Sequence, residues 1–342
     1  MLERSNIENI LVIDGGVFRG VSVDNAIFVV RAGQPRDDGF SITHATLGSE
    51  GLRYGSELEL SAAAVLDQDH ALFTGSRHKD QSVLWRRLES VSTPLGSVAY
   101  VNFGKQLRDR KKFTKDVIQI DDLNQLPSGY RPCYTGRDVH RYSMEWSGLA
   151  CLNSDVARRG GCWDSTRQDT ANKLLTRQIG VYPEFALDTL GYQCLNTMFM
   201  VNVYNHVYNP RFLLGVLNSK LSQRLWSDRF YDQRRTFPKI KGTYLEQLPV
   251  PTIEGSNTED KERHDRMVQL VDQMLEAKQR LAAARTERDR TFYEGKCATL
   301  DRQIDNLVYE LYGLTTEEID IVKEAAEKWP ILPPQGMEFQ FA

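Results

Sequence analysis

The sequence has few cysteines, and they are not arranged in pairs. The 342-residue chain contains five, an odd number, and no C-x-x-C motif. This pattern argues against a disulfide framework and against a zinc knuckle. We therefore expect reduced thiols at Cys133, Cys151, Cys162, Cys194 and Cys297.

Long apolar runs are missing as well. The longest, such as residues 26–30 and 212–217, fall far short of the roughly 20 residues that a membrane-spanning helix needs. Residues 1–9 carry Glu3, Arg4 and Glu8 and have neither the basic segment nor the apolar stretch of a secretory signal. We expect a cytoplasmic protein without a membrane partner.

Catalytic signatures are also lacking. The glycines of residues 15–20 lie between two predicted strands with no helix after them, unlike the turn that contacts S-adenosylmethionine in methyltransferases. Residues 209–212, Asn-Pro-Arg-Phe, have the outline of an acceptor-binding loop, but Pro210 is better interpreted as a helix start. Residues 294–296, Glu-Gly-Lys, lie in the predicted connection between two long helices instead of on the strand that a metal-dependent nuclease needs.

The six histidines show no metal-ligand spacing. We therefore predict no catalytic residues, no metal and no cofactor in this chain, which alone is expected to be inactive. Methyl transfer through an unrecognised site is a disfavoured alternative.

What the chain does contain is an uneven distribution of charge. The net charge is −3, and 41% of the residues are hydrophobic, as in ordinary soluble chains of two or three domains. Residues 77–115 nevertheless carry ten Lys and Arg against three acids, and residues 220–241 carry seven against two. Such clusters neutralise phosphates and release counterions when they lie on one face, although a charge run is often only a solvated surface.

The pattern of apolar residues predicts an α+β fold with four regions. Residues 10–13 and 25–30 predict two short strands, the second buried on both faces, and these need neighbours from elsewhere. Residues 36–70 are interpreted as a linker with one or two short elements. Short strands at 97–103, 117–120, 192–195 and 198–203 indicate a mixed α/β domain over residues 71–251.

From residue 260 to 342 the periodicity is helical. Met267, Val271 and Met274 belong to an apolar stripe on one long amphipathic helix, and a second such helix ends at Gly313. Thr315 and Glu318 stand at capping-box spacing and predict a third, short helix.

Five short motifs together carry a resemblance to a known family. They occur at residues 134–139, 174–180, 212–221, 244–251 and 311–319. In this order they resemble the C-terminal specificity region of TaqI-like and Eco57I-like adenine-N6 DNA methyltransferases and type IIG restriction-modification enzymes. The resemblance covers roughly residues 71–325. Residues 17–30 are similar to the last strands of the family's methyltransferase sheet, so the chain resembles the C-terminal part of a larger enzyme or a separate subunit.

The resemblance implies a target recognition domain that reads double-stranded DNA. Besides DNA, the partner that the resemblance implies is a methyltransferase catalytic domain or subunit, which would bind S-adenosylmethionine and methylate adenine. A helix-mediated dimer is left open, as is the question of whether the parent system also cleaves DNA. The competing hypothesis is a helical protein-interaction scaffold whose basic segments are merely solvated.

Candidate DNA-binding residues follow from the motifs and the basic segments. Arg can bind guanine bidentately and Asn can bind adenine, so the candidates for base contacts near the motifs are Arg137, Arg141, Arg177 and Asn196. The better candidates for phosphate contacts are Lys220, Arg234, Arg235, Lys239 and Lys241. The first basic segment adds Arg77, Lys79, Arg86, Arg87, Lys105, Arg108, Lys111 and Lys112.

Overall fold

The computed structural model describes residues 5–14, 25–33, 39–48, 50–61, 79–231 and 238–328. The chain divides into two compact units. The first comprises residues 1–82 with 233–236, and the second comprises residues 83–232 with 237–342. Each unit is described by itself.

The first unit contains a four-stranded sheet. Its strands are β1 (Ser5–Asp14), β2 (Asn25–Ala32), β3 (Phe40–Gly48) and β4 (Gly51–Leu60). They are arranged in the order β2-β1-β3-β4, with β1 antiparallel to β2 and parallel to β3, and β3 antiparallel to β4. Ile7, Ile10, Phe40 and Ile42 form its buried core.

This sheet corrects two predictions. The segment predicted as a linker forms β3 and β4 over residues 40–60, so the chain itself supplies neighbours for β1. Phe40 and Ile42 are buried and alternate with half-buried Ser41 and Thr43, which is the period of a strand with one covered face. Strand β2, predicted to be buried on both faces, is an edge strand whose Ile27 and Phe28 are 51% and 44% exposed. The likeness of residues 17–30 to a methyltransferase sheet stays a prediction, and residues 15–24 lie outside the described residues.

The second unit is mixed α and β, as predicted. Its strands are β5 (Ser92–Pro94), β6 (Ala99–Phe103), β7 (Gln106–Leu107), β8 (Val117–Gln119), β9 (Tyr130–Tyr134), β10 (Val139–His140), β11 (Ser143–Met144), β12 (Leu149–Leu152), β13 (Arg158–Gly160), β14 (Lys173–Arg177), β15 (Phe185–Asp188), β16 (Gln193–Cys194), β17 (Met198–Val203) and β18 (Pro249–Pro251). Its helices are α1 (Lys79–Ser90), which enters the unit at Val83, α2 (Ser165–Gln168), α3 (Pro210–Leu217), α4 (Lys220–Arg229), α5 (Gly242–Leu245), α6 (Thr258–Ala282), α7 (Glu287–Leu311) and α8 (Thr316–Lys328).

The described strands of this unit form two four-stranded sheets and three two-stranded sheets, β10-β11, β13-β7 and β18-β5. One four-stranded sheet has the order β15-β14-β17-β6 and is antiparallel throughout, and the other has the order β16-β9-β12-β8, with β16 parallel to β9. Leu175, Ala186 and Met200 of the first sheet pack with Tyr134 of the second in one apolar cluster. Cys133, Cys151 and Leu195 belong to another. The five cysteines are free, in line with the expected thiols.

The predicted helices are confirmed. Met267, Val271 and Met274 of α6 are fully buried, and Gly313 after α7 has a φ of 58°, the left-handed conformation that suits glycine. The Thr315 N–H donates to Glu318 and the Glu318 N–H donates to Thr315 Oγ1, which is a reciprocal capping box. Helix α3 begins at Pro210, as predicted, after the N-cap Asn209.

One helical boundary was wrong. Residues 294–296 lie inside α7, since the connection between α6 and α7 spans only residues 283–286. Gly295 is exposed and tolerated there because it faces open space. In the part of the chain that the structure describes, no helix has the length and apolar character needed to cross a bilayer.

Gly104 lies tightly against a neighbouring backbone segment, and this leads to a stability prediction. A Cβ on Gly104 would lie 2.1 Å from the Leu195 carbonyl oxygen and 2.7 Å from that of Cys194. We expect Gly104→Ala to lower the free energy of unfolding by about 1 to 3 kcal/mol, since backbone must shift to make room. Urea denaturation measures the change.

The control for this substitution is Gly295→Ala in α7, where a Cβ meets nothing within 4 Å. We expect the control to raise stability by about 0.5 to 1 kcal/mol, because alanine is the better helix former. A Gly104→Ala variant as stable as the parent protein would contradict the packing described here.

Candidate nucleic-acid interface

The residues 135–138 turn is fixed by a buried carboxylate. Asp138 is 1% exposed, and its Oδ2 accepts hydrogen bonds from the Thr135 N–H at 2.6 Å and the Thr135 hydroxyl at 2.9 Å. Its Oδ1 accepts from the Ser147 N–H at 2.9 Å. Because both carboxylate oxygens are engaged inside the protein, the turn has one conformation and leaves the Arg137 side chain exposed.

Backbone hydrogen bonds connect this turn to three other segments. The Gly136 N–H donates to Thr197 Oγ1 at 2.9 Å, and the Thr197 carbonyl accepts from the Gln178 N–H at 2.8 Å. The Gln178 carbonyl in turn accepts from the Ile240 N–H at 2.8 Å. Residues 135–138, 177–180, 196–197 and 238–241 are therefore neighbours in space.

These four segments bring together five of the candidate residues, which we call the basic strip: Arg137, Arg177, Asn196, Lys239 and Lys241. Arg137, Lys239 and Lys241 are exposed, whereas Arg177 and Asn196 are half-buried. The Lys241 ammonium donates to the Tyr244 hydroxyl at 3.1 Å and lies 4.7 Å from that ring's centroid. A cationic surface with amide donors and acceptors can bind anions and hydrogen-bond to planar polar groups.

A second basic group lies on the sheet that contains β8 and β9. It consists of the exposed residues Lys111, Lys112, Lys115 and Arg131. The hydroxyl of Tyr130 donates to the Lys115 carbonyl at 2.7 Å, which brings the 109–115 turn beside β9. Sequence analysis had not singled out Arg131, because it lies outside both basic segments.

Arg108 braces this turn from within. Its Nε and Nη2 donate to the two carboxylate oxygens of Asp116 at 2.9 and 2.6 Å, and its guanidinium lies 3.9 Å from the Phe113 ring centroid. The positive charge of Arg108 is therefore neutralised by a bidentate ion pair inside the protein.

The prediction that Lys105 contacts DNA is wrong. Lys105 is 2% exposed; its ammonium donates to Asn153 Oδ1 at 2.6 Å and lies 4.6 Å from the Trp163 ring centroid. Burial lowers the pKa of this lysine below its ordinary value. A lysine enclosed in this way stabilises the core and cannot touch a duplex.

Three other candidates bond to α7, to α8 or to the residues between them. Arg87 donates to the Gly313 carbonyl at 2.8 Å and lies 3.0 Å from the Glu318 carboxylate. Arg141 donates to the Asn218 carbonyl at 2.9 Å and to Asp301 of α7 at 2.8 Å.

Lys220 reaches the same helix. Its backbone N–H donates to Asp305 Oδ1 at 2.9 Å, and its ammonium lies 3.9 Å from that carboxylate. The structure thus places Arg87, Arg141 and Lys220 in intramolecular bonds and not in the basic strip.

The remaining candidates are dispersed or outside the described part. Arg86 is exposed on α1. Arg77, Arg234 and Arg235 lie outside the described residues, as does the side chain of Lys79. Within the described ranges, no three His, Cys, Asp or Glu residues are grouped so that they could hold a metal ion.

Sequence analysis missed the polar residues that organise the strip. The Thr-x-x-Asp spacing at residues 135–138 is a capping signal that could have identified Asp138. Thr197 and Glu184 carry no such signal, because Thr197 acts across 61 residues and Glu184 is recognised only through its ion pair with Arg177.

Comparison with known proteins gives one family match. The model of the TaqI-like C-terminal specificity domain matches residues 131–250, which confirms the resemblance found in the motifs. The basic strip lies entirely within that range. No curated protein matches the chain.

Several solved structures are similar to the chain at low identity. The type IIL restriction-modification enzyme MmeI in complex with DNA has a TM-score of 0.47 and 11% identity over 95% of this chain and 46% of that chain. The type IIG restriction endonuclease BpuSI gives 0.37 and 10% over 91% and 44%. The HsdS subunit from Thermoanaerobacter tengcongensis gives 0.33 and 14% over 68% and 51%. The chain spans about half the length of these solved chains.

The carboxyl group of Asp305, which accepts a hydrogen bond from the Lys220 N–H, leads to a prediction about how stability depends on pH. Burial raises the pKa of Asp305 to about 6, against the opposing influence of Lys220 and Arg141. This value lies above the pKa of about 3.9 that an aspartate has in the unfolded chain. Between these two pH values the carboxyl group is therefore protonated in the folded state and ionised in the unfolded state. The stabilising contribution of protonated Asp305 is present below about pH 4 and is lost as the pH rises to about 6.

We expect Asp305→Asn to remove this contribution. The stability of the variant relative to the parent protein should rise by about 1 to 3 kcal/mol from pH 4 to pH 7. Urea denaturation across this range measures it, with Asp155→Asn at a 94% exposed side chain as the control. Parallel pH profiles for the parent protein and Asp305→Asn would contradict the raised pKa.

Proposed function

Because residues 131–250 carry a TaqI-like C-terminal specificity domain, we propose that this chain recognises a target site in double-stranded DNA for a restriction-modification system. The observation that carries the proposal is the basic strip, in which four segments of the matched region are joined by hydrogen bonds. A strip of exposed cations beside hydrogen-bonded backbone suits a ligand that is polyanionic and also presents hydrogen-bonding edges.

The strip divides into two kinds of contact. Arg137, Lys239 and Lys241 are exposed and long, so they suit phosphates, which tolerate loose geometry and set the register of the protein on the duplex. Arg177 and Asn196 are half-buried beside fixed backbone, so they suit base edges in a groove. The second basic group, with Lys111, Lys112 and Arg131, extends the phosphate contacts.

The reaction itself is assigned to another domain or subunit. Following the motif resemblance, we propose that this partner binds S-adenosylmethionine and methylates adenine at N6. A protein neighbour for the first unit is supported by β2, where Ile27, Phe28 and Val29 are exposed in a row at the edge of the described sheet.

The proposal predicts salt-dependent binding that depends on the strip. In fluorescence anisotropy with a mixed-sequence duplex, affinity should fall steeply as salt rises. Replacing Arg137, Lys239 and Lys241 together by Ala should weaken binding at low salt. It should also reduce the slope of log K against log salt by about 2 to 3, because each lost phosphate contact removes close to one unit.

A matched control removes three exposed arginines near the connection between α6 and α7: Arg285, Arg288 and Arg290. The control changes the net charge equally but should keep the parent slope. Equal losses in both triple variants would favour diffuse attraction without an interface, and no binding at low salt would favour the protein-interaction scaffold.

A further inference from the structure

Arg177 is held by an acidic residue at the centre of the basic strip. Its Nη2 donates to Glu184 Oε2, and the two side chains are 33% and 20% exposed. The Nε of Arg177 is buried and has no hydrogen-bond partner among the described residues. On one edge of the guanidinium, Nη2 is therefore bound to Glu184, while the buried Nε has no hydrogen-bond partner in the described part of the chain.

Glu184 occupies a rigid position. It directly precedes β15, whose Phe185 pairs with Thr176 of β14, the residue before Arg177. The Asn218 side chain clamps Phe185, accepting from its N–H and donating to its carbonyl, both at 2.9 Å. The guanidinium is thus carried by the last residue of β14, and the carboxylate by the residue just before the strand that pairs with it.

The pair lies next to the 135–138 turn. A Cβ placed on Gly136 would be 3.3 Å from the Arg177 Cβ, and Gly136 itself is bonded to Thr197. Arg137 follows Gly136 in the chain, and Asn196 precedes Thr197. Glu184 therefore places an acid beside the basic strip.

An acid in this place changes what Arg177 can bind. The carboxylate cancels the charge of the guanidinium and repels phosphates, so non-specific attraction at this point is reduced. It also fixes the guanidinium plane, so the N–H donors that remain exposed suit only a group that offers a pair of acceptors in that plane. Guanine, through O6 and N7, presents such a pair in the major groove.

We propose that Glu184 is a positioning residue that sets base specificity through Arg177: it holds the guanidinium for a guanine and makes phosphates and other bases poor substitutes. This inference rests on the proposed function, and it names the base that one element of the interface reads.

The test is selection from a duplex library with a randomised core, followed by sequencing of the bound fraction. The parent chain should enrich a motif that contains a fixed guanine. Glu184→Gln should still bind, gain affinity for random-sequence duplex at low salt, and lose the preference at that one position. The expected loss is from about 10- to 100-fold discrimination to a few-fold. Glu184→Asp should retain part of the preference, because it keeps the charge.

The matched control is Asp272→Asn, which removes the carboxylate of another Arg pair, with Arg211 at 2.6 Å on α6 and α3. It should leave the motif unchanged. Should Glu184→Gln fail to fold, Arg177→Lys provides the same readout, since lysine keeps the charge but lacks the planar fork. We expect it to bind random duplex and lose the guanine preference.

Two outcomes distinguish a failure of the role proposed for Glu184 from a failure of the proposed DNA recognition. A Glu184→Gln or Arg177→Lys variant that enriches the parent motif at every position overturns the role of Glu184 and leaves DNA recognition standing. A parent chain that binds no duplex at low salt overturns the proposed function, and the inference falls with it.

Discussion

The candidate interface depends on one buried carboxylate. Asp138 has few alternatives to its three hydrogen bonds, since a carboxyl group enclosed at 1% exposure must keep its partners. By fixing the 135–138 turn it orients the Gly136 N–H toward Thr197, and through Thr197 it holds Gln178 and then Ile240. A buried carboxyl group is therefore what makes the exposed charges around it a defined surface.

Counting basic residues along the chain was a weak guide to this surface. Lys105, Arg108 and Arg141 are cations of the same sequence character as Arg137. In the fold, however, they donate hydrogen bonds to partners inside the protein: Asn153 for Lys105, Asp116 for Arg108 and Asp301 for Arg141. Whether a cation faces solvent or an internal acid depends on contacts between distant segments, which local composition does not contain.

The secondary structure was more predictable than the site. Helices α6 and α7 are predictable because their buried residues recur at helical spacing. Short apolar runs between glycines and prolines indicated β6 and β17. Strands β3 and β4 were missed because glycine and serine hid their alternation. At the site, motifs placed Arg137 and Arg177 near recognisable turns, but only the fold joined them, since Thr197 lies 61 residues from Gly136.

Strand β2 has a practical consequence for handling the protein. Eight residues of β2 run along the edge of the described sheet, and four consecutive apolar side chains on it are exposed. Such an edge can recruit the same edge of another molecule, and a net charge of only −3 provides little colloidal repulsion. The association of this chain should therefore increase with its concentration, and light scattering against concentration would report how much.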